Sequence, residues 1–289
     1  MLRISPPSCT FAKSIDDCIA GMSRLAGGIR DRVVAGREPL LASGKGYLDA
    51  AAGPGGLSTI PAFIGDEADL VVDRIIKSDL HKMYDNYFVP ERKIARKIYD
   101  EIMAGSAERC PYCGGIGRPR NLDHFLPKAH FPQFAVLPVN LVPICRDCNF
   151  DGKGDRFARA PEELSIHPYI DDRKFFEQQW IFARYHANHA PIGHVEYYVS
   201  APEDWPDVDK ARAQNHFGYF CIAGRYSIKA AEQLNSLISQ IGIMKGLDIS
   251  ANDIERILMQ AVVHSTGVNN WRRCMHQALI AAVKAGQIG

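Results

Sequence analysis

The chain has 289 residues and a formal net charge of +1 at pH 7, with 46% hydrophobic and 23% charged residues. This composition is ordinary for a globular protein with a large core, and the net charge alone does not indicate a nucleic-acid binder. No apolar run approaches the roughly 20 residues of a membrane-spanning helix, and the start of the chain lacks the apolar core of a signal peptide. We therefore expect a cytoplasmic protein with no membrane partner.

The first segment, residues 1–65, is rich in Gly, Pro and Ser, and the runs at 44–46 and 53–56 are typical of loops. Gly44-Lys45 lacks the upstream Gly and the following Ser or Thr of a phosphate-binding loop, which excludes that motif. We expect a loop-rich N-terminal segment with short helices.

Residues 66–109 are expected to form a helical lead-in. Apolar residues at helical spacing predict one helix over 67–88. Pro90 suits the first turn of a second helix, and Gly105 suits its C-cap.

The next stretch contains two C-x-x-C pairs, which are Cys110, Cys113, Cys145 and Cys148. Four thiolates at this spacing predict a closed tetrahedral zinc site, and the second pair argues against a thioredoxin-like redox site. In a reducing compartment, metal binding is favoured over disulfides. The remaining cysteines are isolated and are interpreted as buried or free thiols. They are Cys9, Cys18, Cys221 and Cys274.

Four polar residues accompany the two pairs. Asp123 and His124 lie between the pairs, Asn140 precedes the second pair, and Asn149 directly follows the last Cys. We predict strands over 118–126 and 135–143 and a helix that begins near Cys145, with Gly152 and Gly154 ending or distorting it.

These residues resemble an HNH endonuclease of the zinc-containing ββα-metal type. The H-N-H/N series of that family corresponds here to His124, Asn140 and Asn149, and Asp123 matches the D-H pair of many members. The resemblance covers the 45 residues from 110 to 154. The family often ends C-N-x-x-K-G, whereas Lys153 stands one place later in this chain.

The resemblance implies an α+β fold, with a zinc-stabilised ββα-metal HNH core at 110–159 in a mostly α-helical chain. His124 would be the general base, since a neutral imidazole is available at pH 7. Asp123 and Asn149 would hold a catalytic Mg²⁺ or Mn²⁺, and Asn140 would hold the loop that orients His124. Candidate phosphate contacts are Lys128, Arg146 and Lys153.

The resemblance also implies a substrate and a biological setting. The segment 110–159 has seven Lys or Arg against four Asp or Glu, which is compatible with phosphate contact. We expect hydrolysis of DNA, with RNA not excluded. Asp123–Lys128 is similar to the D-H-F-x-P-K motif of anti-phage effectors that act beside an ATPase, such as the Septu type. The alternative is a non-catalytic zinc module that binds nucleic acid or a protein partner.

The C-terminal region, residues 160–289, is expected to be mixed and then helical, with a regulatory or partner-binding role. Strand composition occurs at 180–184 and 197–199. His167 and Asp171 are interpreted as a turn that packs against the zinc segment. A capping sequence at 250–253 predicts a helix with Ile254, Ile257 and Leu258 on one face, and a last helix is predicted over 269–285.

Overall fold

The computed structural model describes residues 1–24, 28–187, 193–263 and 267–288. The protein is a mixed α+β structure, mostly helical, with three small two-stranded sheets and a buried four-cysteine cluster. Within these ranges, none of the helices has both the length and the apolar character that a membrane crossing requires.

Three helices occupy the segment for which loops were predicted. They are α1 (Phe11–Ala20), α2 (Ile29–Ala35) and α3 (Arg37–Ala52). The loop prediction for 44–46 is wrong, because Gly44 lies inside α3. A Cβ at this position would come within 2.4 Å of the Phe11 ring, so glycine is needed here for close helix packing. Gly55, with φ +88°, does lie in a loop.

The prediction of a single helix over 67–88 is also wrong for the first part of this range. Residues Leu70–Val72 (β1) and Ile75–Ile76 (β2) form an antiparallel hairpin. Helix α4 (Lys77–Lys82) follows and continues as a π-helical segment, Met83–Phe88. β-Branched residues at 71, 72, 75 and 76 suit a hairpin as well as a helix. Helix α5 (Arg96–Ala104) ends before Gly105 as predicted but begins after Pro90.

A second hairpin follows the first cysteine pair. Strands β3 (Pro119–His124) and β4 (Leu141–Cys145) are antiparallel, with Asp123 opposite Val142. β4 begins at Leu141 and not at residue 135, because two short 3₁₀ turns that begin with prolines precede it. A helical turn then leads into a π-helical segment, Cys148–Lys153. The predicted order of strand, strand and helix is present.

The β3–β4 hairpin lies between two hydrophobic cores. Leu122 and Leu141 pack into a core formed with the N-terminal helices, α4 and α5. Val142 and Ile144 belong to a second core that includes the cysteines and the C-terminal helices. Every residue of β4 is buried. The hairpin is therefore fixed on both faces.

The C-terminal region begins with short helix α6 (Lys174–Glu177) and a hairpin of β5 (Ile181–His186) and β6 (His194–Val199). The helices that follow are α7 (Asp207–Tyr219), α8 (Ile222–Gly246), α9 (Ala251–Val263) and α10 (Trp271–Lys284). The predicted capping residue, Ser250, accepts a hydrogen bond from Asp253 N at 3.2 Å. Ile254 and Leu258 are buried, whereas Ile257 is exposed, contrary to the prediction.

Candidate metal centre and adjoining polar site

The four cysteines of the two C-x-x-C pairs meet at one buried point. Their Sγ atoms all lie within 4.8 Å of one another, and Cys113 Sγ lies 3.9 Å from Cys145 Sγ. Zn–S bonds of about 2.3 Å in a tetrahedron place the sulfurs about 3.8 Å apart. The residues therefore fit a structural Zn²⁺ held by four thiolates.

The first cysteine pair is held by a tight backbone turn. Cys110 N donates to Gly117 O at 3.0 Å, and Gly117 N donates to Cys113 Sγ at 3.4 Å. A Cβ at Gly117 would come 2.4 Å from Cys145 Sγ. Glycine at 117 therefore lets the turn that contains Cys110 and Cys113 approach Cys145, the ligand at the end of β4.

Arg225 of α8 supplies positive charge to the second cysteine pair. Its guanidinium donates to Cys148 Sγ at 2.9 Å and to Cys145 Sγ at 3.5 Å, and it also contacts Asp147 at 3.1 Å. Four thiolates around one Zn²⁺ carry a net charge of about −2. The thiolates raise the pKa of Arg225, and the guanidinium offsets part of their charge.

His216 of α7 joins the turn between Cys110 and Cys113 to the C-terminal region. Its Nε2 lies 2.9 Å from Tyr112 O, and its Nδ1 accepts from Ile166 N at 3.2 Å. Since a carbonyl only accepts, Nε2 carries the proton. Burial lowers the pKa of His216 to about 3, so the neutral ring makes both hydrogen bonds at pH 7.

Asp123, near the end of β3, faces a lysine. Its Oδ2 lies 2.9 Å from Lys153 Nζ, and the Asp123 and Lys153 side chains are only 12% and 6% exposed. The contact is an ion pair without hydrogen-bond alignment, since Oδ2 has no hydrogen-bond partner among the described residues. Burial raises the pKa of Asp123, and the ammonium opposes that shift. The Asp123 carboxylate therefore already faces one cation, and a metal ion would have to displace the Lys153 ammonium or share the carboxylate with it.

Lys153 reaches Asp123 because the helix after Cys148 is wound as a π-helix. Gly154 N donates to Asn149 O at 2.9 Å, which is the five-residue spacing of a π-helical bond. A π-turn accommodates one residue more than an α-turn. Lys153 Nζ also donates to His124 O at 2.5 Å.

His124 follows Asp123 and is held by a single backbone carbonyl. Its Nε2 lies 2.8 Å from Ala135 O, and Tyr84 packs edge-on against the ring at 4.4 Å. Because the carbonyl accepts, Nε2 carries the proton and Nδ1 carries the lone pair. The side chain is buried, and burial lowers the pKa of His124 to about 3. The imidazole is therefore neutral at pH 7, with Nδ1 as its basic nitrogen.

Asn140 connects the loop after His124 to the start of β4. It is fully buried, and its Oδ1 accepts from Leu126 N at 2.8 Å. Its Nδ2 donates to Leu126 O at 3.1 Å and to Phe134 O at 3.3 Å. Phe134 directly precedes Ala135, whose carbonyl holds His124. Asn140 therefore fixes both chain segments that flank the imidazole.

The remaining predicted residues differ in their surroundings. Asn149 is half-buried on the π-helical segment directly after Cys148. Lys128 pairs with Asp85, with Nζ–O distances of 2.5 and 2.7 Å. Arg146 is exposed, with its guanidinium 5.9 Å from the Phe150 ring. Of the three predicted phosphate contacts, Lys153 is buried in the ion pair with Asp123, and the three contacts stay a prediction.

Arg225 and His216 were not identified from the sequence. Both stand on helices far along the chain from the cysteines, and neither belongs to a motif. His167, by contrast, packs as predicted in a turn, with its ring 4.2 Å from that of Phe125. The turn also includes Asp171, which pairs with Arg212 at 2.5 Å.

Comparison with known proteins identifies one full-length relative. Protein ea31 of Escherichia phage lambda is 34% identical to the chain, over 96% of this chain and 97% of the relative. No protein-family model matches the chain. No solved structure matches it either.

Proposed function

The chain belongs to the family of the phage lambda protein ea31. From the residues at the end of β3 and the cysteine cluster, we propose that it is a metal-dependent HNH endonuclease that hydrolyses phosphodiester bonds in DNA. The observation that carries the proposal is the buried His124 side chain at the end of β3, whose neutral imidazole has Nδ1 as its basic nitrogen. Asp123, the preceding residue on the strand, has a buried carboxylate that faces the Lys153 ammonium at 2.9 Å. The zinc cluster at the other end of the hairpin holds this arrangement in place.

Each polar residue has a distinct task in this proposal. His124 Nδ1 takes a proton from the water that attacks phosphorus, while Ala135 O keeps the imidazole in the required tautomer. Asn140 holds the two segments beside the ring. An incoming phosphate raises the affinity of the buried imidazole for a proton, because opposite charge favours the charged form.

Asp123 and Asn149 would hold a divalent cation, Mg²⁺ or Mn²⁺, since both offer hard oxygen ligands. Such an ion, when bound, stabilises negative charge on the phosphate and on the leaving oxygen. Lys153 neutralises Asp123 until the ion enters, because its ammonium already faces the carboxylate.

The anti-phage role and the ATPase partner expected from the resemblance remain proposals of the same kind. The relative is a phage protein. The chemistry proposed for the site does not depend on whether such a protein serves a phage or a host.

Nicking of a supercoiled plasmid tests the proposal. The protein should nick the plasmid in Mg²⁺ or Mn²⁺, and His124→Ala should reduce the rate roughly 10²–10⁴-fold, the usual contribution of a positioned general base. His186→Ala, on the β5–β6 hairpin, is the matched control and should cleave normally. A folded, zinc-loaded His124→Ala protein that nicks at the wild-type rate would remove His124 from the mechanism.

One observation favours the alternative, a non-catalytic zinc module. The Lys153 ammonium already satisfies the charge of Asp123, so the fold by itself requires no divalent ion. The same assay separates the two functions, because a module that binds nucleic acid or a protein partner would not nick the plasmid in either metal.

A further inference from the structure

An open groove of about 1110 Å³ lies next to the segment that follows Lys153. The site formed by Asp123, His124, Asn140 and Lys153 is called the polar site. Residues 61–65 line one part of the groove, and residues 129–130, 155–157 and 159 line another. Phe63 N donates to His130 O at 2.7 Å, so the two parts are joined by the backbone. The groove is therefore a fixed feature of the fold.

Aromatic rings line this groove. Phe63, Phe157 and Tyr219 are each half-buried, so part of each side chain is accessible. Phe157 is held at a defined angle, since it packs edge-on against Phe131 at 5.2 Å and lies 4.8 Å from the His130 ring. A partly accessible ring that is held at a fixed angle, as Phe157 is, can serve as a stacking surface for a flat ligand.

Cationic side chains lie close to two of the rings. Lys77 Nζ lies 5.7 Å from the Phe63 ring, and the Arg159 guanidinium lies 5.9 Å from the Phe157 ring. Arg156 is exposed. Asp155 is the acidic residue of the lining. The groove therefore combines a net positive charge with aromatic rings.

The groove leads toward the polar site. Arg156, Phe157 and Tyr219 also line a small cavity whose wall includes Lys153, the partner of Asp123. Arg156 N donates to Lys153 O at 3.1 Å. A chain that lies in the groove therefore passes next to the segment that contains Lys153.

We propose that this groove binds a single-stranded stretch of nucleic acid, whose unpaired bases stack on the aromatic rings and whose phosphates contact Lys77, Arg156 and Arg159. Fixed aromatic rings in a positive groove are the combination that binds single strands, because every base offers a flat face. In a duplex those faces are covered by neighbouring base pairs. The inference rests on the proposed nuclease function and specifies its substrate as an unpaired strand.

The groove supplies phosphate contacts in addition to those predicted from the sequence, two of which are engaged in ion pairs. Lys128 is paired with Asp85, and Lys153 is buried against Asp123. The groove cations lie on two separate chain segments, 77 and 156–159, and no linear motif joins them.

Fluorescence anisotropy with labelled oligonucleotides tests the proposal. The probes are oligothymidylate of about 20 nucleotides, which covers one groove, and a duplex of equal length, without added divalent ion. Arg156→Gln/Arg159→Gln should lower single-strand affinity about tenfold and reduce the slope of log affinity against log salt by about 1.4, or 0.7 per lost phosphate contact. Arg92→Gln/Arg256→Gln, which removes two exposed arginines elsewhere, should change neither quantity.

Phe157→Leu separates stacking from charge. It retains an apolar side chain in the wall and should lower single-strand affinity about tenfold, in line with the loss of one stacked base. The proposal is overturned if the double arginine variant binds the single strand like its control. It is also overturned if the wild type prefers the duplex and Phe157→Leu has no effect.

Binding without a divalent ion keeps this test separate from the test of nuclease activity. A protein that binds the single strand through the groove and never nicks DNA contradicts the nuclease proposal alone. A protein that nicks DNA while the groove variants bind normally contradicts the groove proposal alone.

Discussion

Lys153 Nζ lies 2.9 Å from Asp123 Oδ2, so the only carboxylate among the predicted catalytic residues faces an ammonium that is itself buried. The pair joins the end of β3 to the end of the π-helical segment. A cation that binds Asp123 must displace this ammonium or share the carboxylate with it.

Lys153→Met should therefore lower the free energy of unfolding and increase the stabilisation of the protein by a divalent ion. Loss of one partner from a buried ion pair costs about 3 kcal/mol of unfolding free energy, because the other charge is left uncompensated. Millimolar Mg²⁺ or Mn²⁺ should raise the melting temperature of Lys153→Met by more than that of the wild type. Lys97→Met, an exposed lysine on α5, is the control, and an equal response to metal in all three proteins would contradict the prediction.

Arg225→Met should lower the affinity of the four cysteines for zinc. The guanidinium contacts two thiolates, and loss of such outer contacts typically reduces metal affinity 10- to 100-fold. Zinc transfer to a colorimetric chelator should therefore be faster than in the wild type. Lys229→Met, one turn along the same helix and paired with Glu232, should release zinc at the wild-type rate. Equal release by both variants would show that Arg225 does not support the zinc site.

Asn140→Ala should destabilise the protein and reduce plasmid nicking while zinc stays bound. The substitution removes three hydrogen bonds and leaves Leu126 N–H buried without a partner, which costs about 2–4 kcal/mol. Chemical denaturation gives the stability, and elemental analysis gives the zinc content. Asn121→Ala, on β3 and half-buried, is the control. Wild-type nicking by Asn140→Ala would contradict a positioning role.

Acidification should weaken the fold through His167. Burial, with help from the Arg212 charge, lowers its pKa to about 3, whereas an unfolded histidine titrates near 6.5. Between these values the unfolded chain binds a proton that the folded chain does not. The free energy of unfolding should therefore fall as pH drops below about 6.5, by up to about 1.4 kcal/mol per pH unit for this group.

Urea unfolding of wild type and His167→Gln between pH 7 and pH 5 measures this contribution. Both proteins contain the same cysteines, so acid loss of zinc affects them equally. The variant should be less stable at pH 7 but should lose less stability on acidification. Parallel pH profiles would exclude His167 as a source of the pH dependence.

The local features of the zinc segment could be predicted from the sequence, since cysteine spacing and strand composition are short-range signals. The same holds for α10, where Met275, Leu279 and Val283 recur every four residues and are all buried. Gly44 was misassigned to a loop because its function is to pack against Phe11, a contact that local sequence does not reveal.

Contacts between distant parts of the chain, and the choice between α-helical and π-helical winding, could not be predicted in this way. Arg225 reaches the thiolates from about 77 residues beyond Cys148. The π-helical winding of Cys148–Lys153 was not visible in the sequence, because it depends on how Gly152 is packed. A Cβ at Gly152 would come 2.8 Å from Tyr219 O, so the close approach of α7 constrains the helix at this point.

The measurement that tests the central proposal most directly is plasmid nicking after brief treatment with EDTA, with zinc content determined in the same sample. Four sulfur ligands should retain the zinc, whereas two oxygen ligands bind Mg²⁺ or Mn²⁺ weakly. We predict that EDTA stops nicking, that added Mg²⁺ or Mn²⁺ restores it, and that Asp123→Ala and Asn149→Ala fail to recover at the same metal concentration with zinc unchanged. Nicking by zinc-loaded Asp123→Ala in the presence of EDTA would contradict the proposal.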